Sequence, residues 1–147
     1  MVTEFLHKIR YLILICVIFL IGYTIYQVST YRVYYNSSVK TVLEHPSERF
    51  FLWCSTDDTA HKTVFKYTKL IGNDRSYVTL KKGTMKFSCS PRSGDCKVTV
   101  ADSRTKKVYL HRELGFNAVK KSFPKNRKLM IIFTGNGYSG SVTVNYH

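Results

Sequence analysis

Two hydrophobic patterns divide the chain. From Tyr11 to Tyr31, residues 11–31 run for 21 positions without a charged side chain. As a helix this run reaches roughly 31 Å, enough to cross the hydrocarbon core of a bilayer. From residue 50 onward apolar and polar positions alternate in short runs rich in Val, Thr, Tyr and Phe. Such runs, bounded by turn-forming residues, predict β-strands.

The candidate strands are residues 50–55, 63–70, 77–80, 84–89, 96–101, 108–112, 118–123, 129–134 and 141–146. Between them stand Gly72-Asn73-Asp74, Lys82-Gly83, Ser93-Gly94-Asp95, Ala101-Asp102-Ser103, Phe123-Pro124-Lys125-Asn126 and Gly135-Asn136-Gly137, each a turn signal. Residues 129–133 are continuously apolar, which predicts a central strand buried on both faces. Eight or nine antiparallel strands without a helical interval predict an all-β, jelly-roll-like sandwich, with a small barrel as the alternative. The expected organisation is a tail (1–10), a transmembrane signal-anchor (11–31), a connector (32–49) and the sandwich (50–147). Within the connector, Val39 to His45 has the makings of a short helix ended by Pro46.

Lys8 and Arg10 precede the apolar run as in a signal peptide, but the run exceeds the usual h-region of about 7–15 residues. Val28-Ser29-Thr30 is the best cleavage site available, and it is a poor one. An uncleaved anchor is therefore expected, with a cleaved signal as the alternative. Tyr23, Tyr26, Tyr31, Tyr34 and Tyr35 suit an interfacial belt, although Tyr34 and Tyr35 fit a first strand equally well. Flanking charges are balanced between Lys8 and Arg10 on one side and Arg32, Lys40 and Arg49 on the other, so they set no orientation.

The cysteines carry that decision. Cys16 lies in the apolar run, and Cys54, Cys89 and Cys96 lie in the domain. A hairpin that places Cys89 opposite Cys96 also places Phe87 opposite Val98 and Met85 opposite Val100, with Lys86, Ser88, Lys97 and Thr99 on the other face. A disulfide there would add roughly 2.5 kcal/mol by closing a short loop and would imply an oxidising, extracytoplasmic compartment. Two reduced thiols on a buried face are the alternative. Cys54 reads as a buried thiol. Asn36-Ser37-Ser38 is an N-glycosylation sequon, relevant if the chain enters a eukaryotic secretory pathway.

The net charge is +14, and 21 basic against 8 acidic residues follow the first ten positions. A field of this sign favours polyanions such as lipid headgroups, nucleic acid, anionic glycans or wall polymers, and the expected partners are anionic lipid or glycan, or an envelope protein. One basic group comprises Lys81, Lys82, Lys86, Arg92, Lys97, Arg104, Lys106 and Lys107; a second comprises Lys120, Lys121, Lys125, Arg127 and Lys128. The bland alternative is a solvated face, with Lys blunting strand edges. Tyr109, Phe116 and Phe123 stand near these lysines, but no nucleic-acid signature accompanies them, so nucleic acid is not the expected partner.

Motifs for chemistry are sparse. Gly137-Tyr138-Ser139-Gly140-Ser141 has its second glycine one place early for a nucleophile elbow and reads as a turn. Asp57, Asp58 and His61 could supply oxygen and imidazole ligands, but solvated turn residues are commoner, and no metal or cofactor is expected. No carboxylate pair or Cys/His couple stands out. The expected protein is a non-catalytic, membrane-anchored extracytoplasmic binding module; the alternative is a structural subunit of a membrane-bound secretion, adhesion or viral envelope assembly.

Overall fold

A computed structural model describes residues 2–50 and 53–147. Contacts divide the chain after Thr30 into a helical unit and a β unit, Tyr31–His147. Helix α1 runs Val2–Tyr35, and its stretch Leu6–Tyr26 is long and apolar enough to cross a membrane. The predicted strand at 50–55 includes residues 51 and 52, which lie outside the described residues; its ends appear as β1 (Arg49–Phe50) and β2 (Trp53–Thr59).

Three long strands organise the β unit: β3 (Lys62–Leu80), β4 (Gly83–Asp102) and β7 (Arg127–Tyr146), of 19, 20 and 20 residues. The shorter β5 (Val108–Leu114) and β6 (Val119–Phe123) complete an entirely antiparallel sheet. β7 is central, with β3 on one side and β4 on the other over nearly their whole lengths. At one end β2 and β6 flank these three strands; at the other end β1 and β5 do. The result is two five-stranded layers sharing three strands.

The layers are separated by a line of irregularities. The β3 register shifts between Tyr67 and Leu70, and the β4 register shifts between Pro91 and Asp95, both opposite Asn136–Gly140 of β7. Extra residues in a ladder bend the strand locally. Gly94, at φ +67°, lies so close to the Gly137 carbonyl that a Cβ would sit 2.5 Å from its oxygen. Gly140, at φ +146°, approaches the Ser90 carbonyl in the same way, at 2.3 Å. Only glycine allows both the backbone conformation and the approach.

Bending folds the sheet onto itself as a jelly-roll-like sandwich. Phe65, Tyr67, Met85, Phe87, Val142 and Val144 of one layer and Val98, Val100, Leu129, Ile131 and Phe133 of the other form one buried cluster. The rings of Phe65 and Phe133 meet across the fold at 5.0 Å between centroids. Inward positions alternate as the sequence predicts, and Leu129 to Phe133 is buried on both faces.

The second burial comes from the connector. Helix α2 (Val39–Glu44) begins at Ser38, whose Oγ accepts the Thr41 N–H at 3.3 Å. Its Val42 and Leu43 pack on Ala101, Met130 and Ile132, covering the outer face of the β1–β5 layer. Asn73 ties the segment down: its backbone N–H reaches the Glu48 carbonyl at 2.8 Å, and its Nδ2 donates to the His45 carbonyl at 2.8 Å. Thr134 Oγ1 donates to Asn73 Oδ1 at 2.7 Å, leaving the buried amide well satisfied.

Three expectations change. Six of the nine candidate runs join in pairs as β3, β4 and β7, the turn signals at Gly72, Gly94 and Gly135 being bends, and with the 50–55 run seen as β1 and β2 the described residues form seven strands. The Cys89–Cys96 hairpin is absent: both residues lie on β4, with Cys89 opposite Val142 and Cys96 opposite Gly135, and the thiols are free. The long apolar β7 takes the ladder that the hairpin assigned to β4 itself. Cys89 Sγ donates to the Gly115 carbonyl at 3.1 Å, while burial pushes the Cys96 thiol far above its ordinary range, an unreactive state. Thr99, expected on a solvent face, is fully buried in the layer that α2 covers, its Oγ1 2.9 Å from His111 Nδ1.

Phe133→Ala removes the ring that joins the layers and leaves a cavity at their centre. Chemical denaturation should show a loss of about 3–5 kcal/mol. A loss below about 1 kcal/mol would mean that the layers do not depend on this contact.

Candidate polyanion-binding face

The outer faces of the two layers differ. Under α2, Asn73, Thr99, Ala101, Met130, Ile132 and Thr134 are all buried. On the β2–β3–β7–β4–β6 layer no outward residue of the register rows is buried. This open face is about 19 Å across its five strands.

Registers set its chemistry row by row. The first row reads Thr59, Lys62, Asn145, Lys86 and Lys120 across β2, β3, β7, β4 and β6. Asp57, Val64, Thr143 and Ser88 form the second, and Ser55, Lys66, Ser141 and Ser90 the third. Trp53, opposite Thr68, ends the face near the crease and is 67 % exposed. The face therefore holds four lysines, one carboxylate and a series of hydroxyls. Lys86 and Lys120 are direct cross-strand neighbours in a row without an acid. Like charges so placed oppose folding, and among the described residues neither lysine has an ion-pair partner. An external anion would offset the repulsion.

At the crease the face deepens into a groove of about 610 Å³ lined by Trp53, Ser55, Lys66, Ser90, Arg92 and Ser141, among others. The groove floor is rigid: Ser139 Oγ accepts the Lys69 N–H at 3.0 Å, and Tyr138 Oη donates to the Ser141 carbonyl at 2.9 Å. The Gly137–Ser141 motif is thus part of a strand crease, with no strand-to-helix turn.

Sequence neighbours in the two basic groups are scattered by the fold. Lys86 and Lys120 reach the open face, and Arg92 the groove. Lys121 falls on the opposite side of β6, in register with Met85. Lys97 lies on the α2-covered layer, where its Nζ donates to the Tyr35 carbonyl at 2.9 Å and stands 4.0 Å from the Tyr35 ring centroid. Burial and nearby carboxylates, Glu113 first, push the Tyr35 phenol up to about 12. Arg127 pairs with Asp102 at 3.7 Å and covers the Tyr109 ring at 5.0 Å. Backbone N–H groups of Thr105 and Arg104 hold the Asp102 carboxyl below its ordinary value. Arg104, Lys106 and Lys107 share the turn after β4, and Lys125 and Lys128 surround the start of β7. Tyr109 and Phe123 pack edge to face at 5.5 Å as core residues, whereas Phe116 is 96 % exposed in the β5–β6 loop. Asn36 is exposed just after α1.

Lys62, Lys66 and Trp53 escaped the sequence reading. Alternation with the inward Thr63, Phe65 and Tyr67 would have turned both lysines outward.

A second hollow of about 520 Å³ opens at the sandwich edge between Asp58, Thr63 and Tyr146 on one side and Ser76, Val78 and Leu80 on the other, with Lys81 and Lys82 at its rim. Thr63 Oγ1 donates to Asp58 Oδ1 at 2.6 Å. Register sends Asp57 and Asp58 to opposite faces of β2, so the two do not converge with His61. Among the described residues no three His, Cys, Asp or Glu side chains group as metal ligands. Cys54 is a half-buried free thiol, raised chiefly by burial.

No family model matches the chain, and no curated protein does. Among solved structures, the Drosophila melanogaster CENP-C cupin domain is similar at 11% identity and a TM-score of 0.40, over 68% of this chain and 76% of that one. A family 29 carbohydrate-binding module complexed with mannohexaose is similar at 11% identity and 0.36, over 67% and 76%. A cupin domain from Bordetella pertussis tohama I follows at 9% and 0.34, over 65% and 92%. Likenesses this loose carry no argument about function; the fold rests on the strand pairing above.

Proposed function

We propose that this protein is a membrane-anchored, non-catalytic binding module whose open sheet face takes an acidic polymer at the cell-envelope surface. The observation that carries the reading is the row Lys62–Asn145–Lys86–Lys120, which holds three cations and no acid and lies on the uncovered face of the sheet. Opposed lysines weaken the isolated sheet and strengthen it once a polyanion bridges them. The apolar stretch Leu6–Tyr26 is the proposed anchor, and the domain is proposed to lie outside the cytoplasm, where acidic glycans and anionic outer surfaces are available.

Reversing Lys62, Lys86 and Lys120 to Glu tests the face. Each lysine at an anionic surface is worth about 1 kcal/mol. The triple variant should therefore bind immobilised heparin or phosphatidylserine vesicles at least about a hundredfold more weakly at low salt, since reversal adds repulsion to the lost attraction, with the gap narrowing as salt rises. The same reversal at Lys106, Lys125 and Lys128, which changes the net charge equally, should cost far less. Equal losses from both variants would assign binding to net charge and not to the face.

Orientation is tested separately. A membrane-impermeant amine reagent applied to intact cells should label the exposed lysines of the domain. Labelling that appears only after lysis would place the domain inside and remove extracellular glycans from consideration.

A further inference from the structure

The groove at the crease has a composition that general charge attraction does not require. It combines one exposed indole, two cations and a lining of serine hydroxyls. Trp53 is the only tryptophan in the chain, and it is two-thirds exposed although an indole is among the side chains that gain most from burial. It does not belong to the core cluster. An apolar flat ring beside hydroxyls and cations fits a ligand with one apolar face, a polar rim and negative charge.

We infer that this groove is a subsite for an acidic saccharide, a sugar unit bearing carboxylate or sulfate. The Trp53 ring packs against the C–H face of the sugar. Lys66 and Arg92, from β3 and from the β4 bulge, take the anionic group, the guanidinium offering a two-pronged contact. Ser55, Ser90 and Ser141, in register with Lys66 on neighbouring strands, exchange hydrogen bonds with ring hydroxyls. Because the groove is continuous with the lysine rows, a chain seated on Trp53 extends over Lys86 and Lys120. A single indole with serine neighbours favours a sugar over a nucleic acid, which would draw on several stacking rings.

The inference rests on the polyanion reading of the face and deepens it, so the test must separate the two. The full chain in zwitterionic detergent micelles offers a direct signal, since all tryptophan emission comes from Trp53. Titration with a heparin hexasaccharide and with an oligogalacturonate distinguishes sulfate from carboxylate; polyphosphate, oligo-dT and neutral maltohexaose complete the series. Saturable change of Trp53 emission with an acidic saccharide is expected. Calorimetry of Trp53→Ala should show acidic-saccharide binding weakened roughly tenfold or more, as for a truncated aromatic anchor, while polyphosphate binding is unchanged. Trp53→Phe should recover part of the loss, and Lys66→Gln with Arg92→Gln should weaken the acidic sugars without creating affinity for maltohexaose. Because Trp53 is exposed, these variants should keep the wild-type far-ultraviolet dichroism.

Wild-type saccharide affinity in Trp53→Ala would overturn the subsite while leaving the polyanion reading intact. Equal affinity for maltohexaose would overturn its anionic part, and oligo-dT binding that depends on Trp53 in the absence of saccharide binding would reassign it. If no polyanion of any kind binds, the reading of the face fails, and the subsite fails with it.

Discussion

The β unit depends on three long strands bending at one level. β3, β4 and β7 each carry a register irregularity there, and Gly94 and Gly140 bring carbonyls within distances that no side chain would permit. Without the bend the sheet would have one apolar face and no partner for it. With it, Phe65 finds Phe133, and the inner faces of both layers become one core. The crease also shapes the groove, because Arg92, displaced from the β4–β7 ladder, lines it beside the paired Lys66, Ser90 and Ser141.

Coverage is then unequal, and the proposed function rests on that inequality. The connector spends its apolar side chains on one layer, where Met130 and Ile132 require cover. The other layer has Ser, Thr, Asn, Asp and Lys at most of the corresponding outward positions and needs none. A water-facing sheet face is ordinary in antiparallel proteins. Directly opposed lysines on it are not, since a single carboxylate in that row would relieve the repulsion. The groove adds shape to this charge.

Much of the layering was legible in the sequence. Alternation placed Met85, Phe87, Val98 and Val100 inward, and the unbroken run from Leu129 to Phe133 marked the strand buried on both faces. Partner choice was not legible. Cys89 and Cys96 suggest a hairpin because local turn formers separate them, but both lie on one continuous strand paired along its length with β7. Gly72, Gly94 and Gly135 carry the same local signature whether a chain reverses or bends, and only long-range pairing decides between the two. The basic groups misled for a related reason: neighbours such as Lys120 and Lys121 point to opposite sides of one strand, while Lys62 and Lys120, far apart in sequence, share a row. Thr99 shows the remaining limit, because nothing near it in sequence announces that α2 will cover its layer.

Lysine-by-lysine amine footprinting, with and without bound heparin, would locate the binding surface. Lys62, Lys66, Lys86 and Lys120 should lose reactivity together on binding, while Lys106, Lys125 and Lys128 keep theirs. Protection centred on the latter three, or spread evenly over the surface, would contradict binding at the open face.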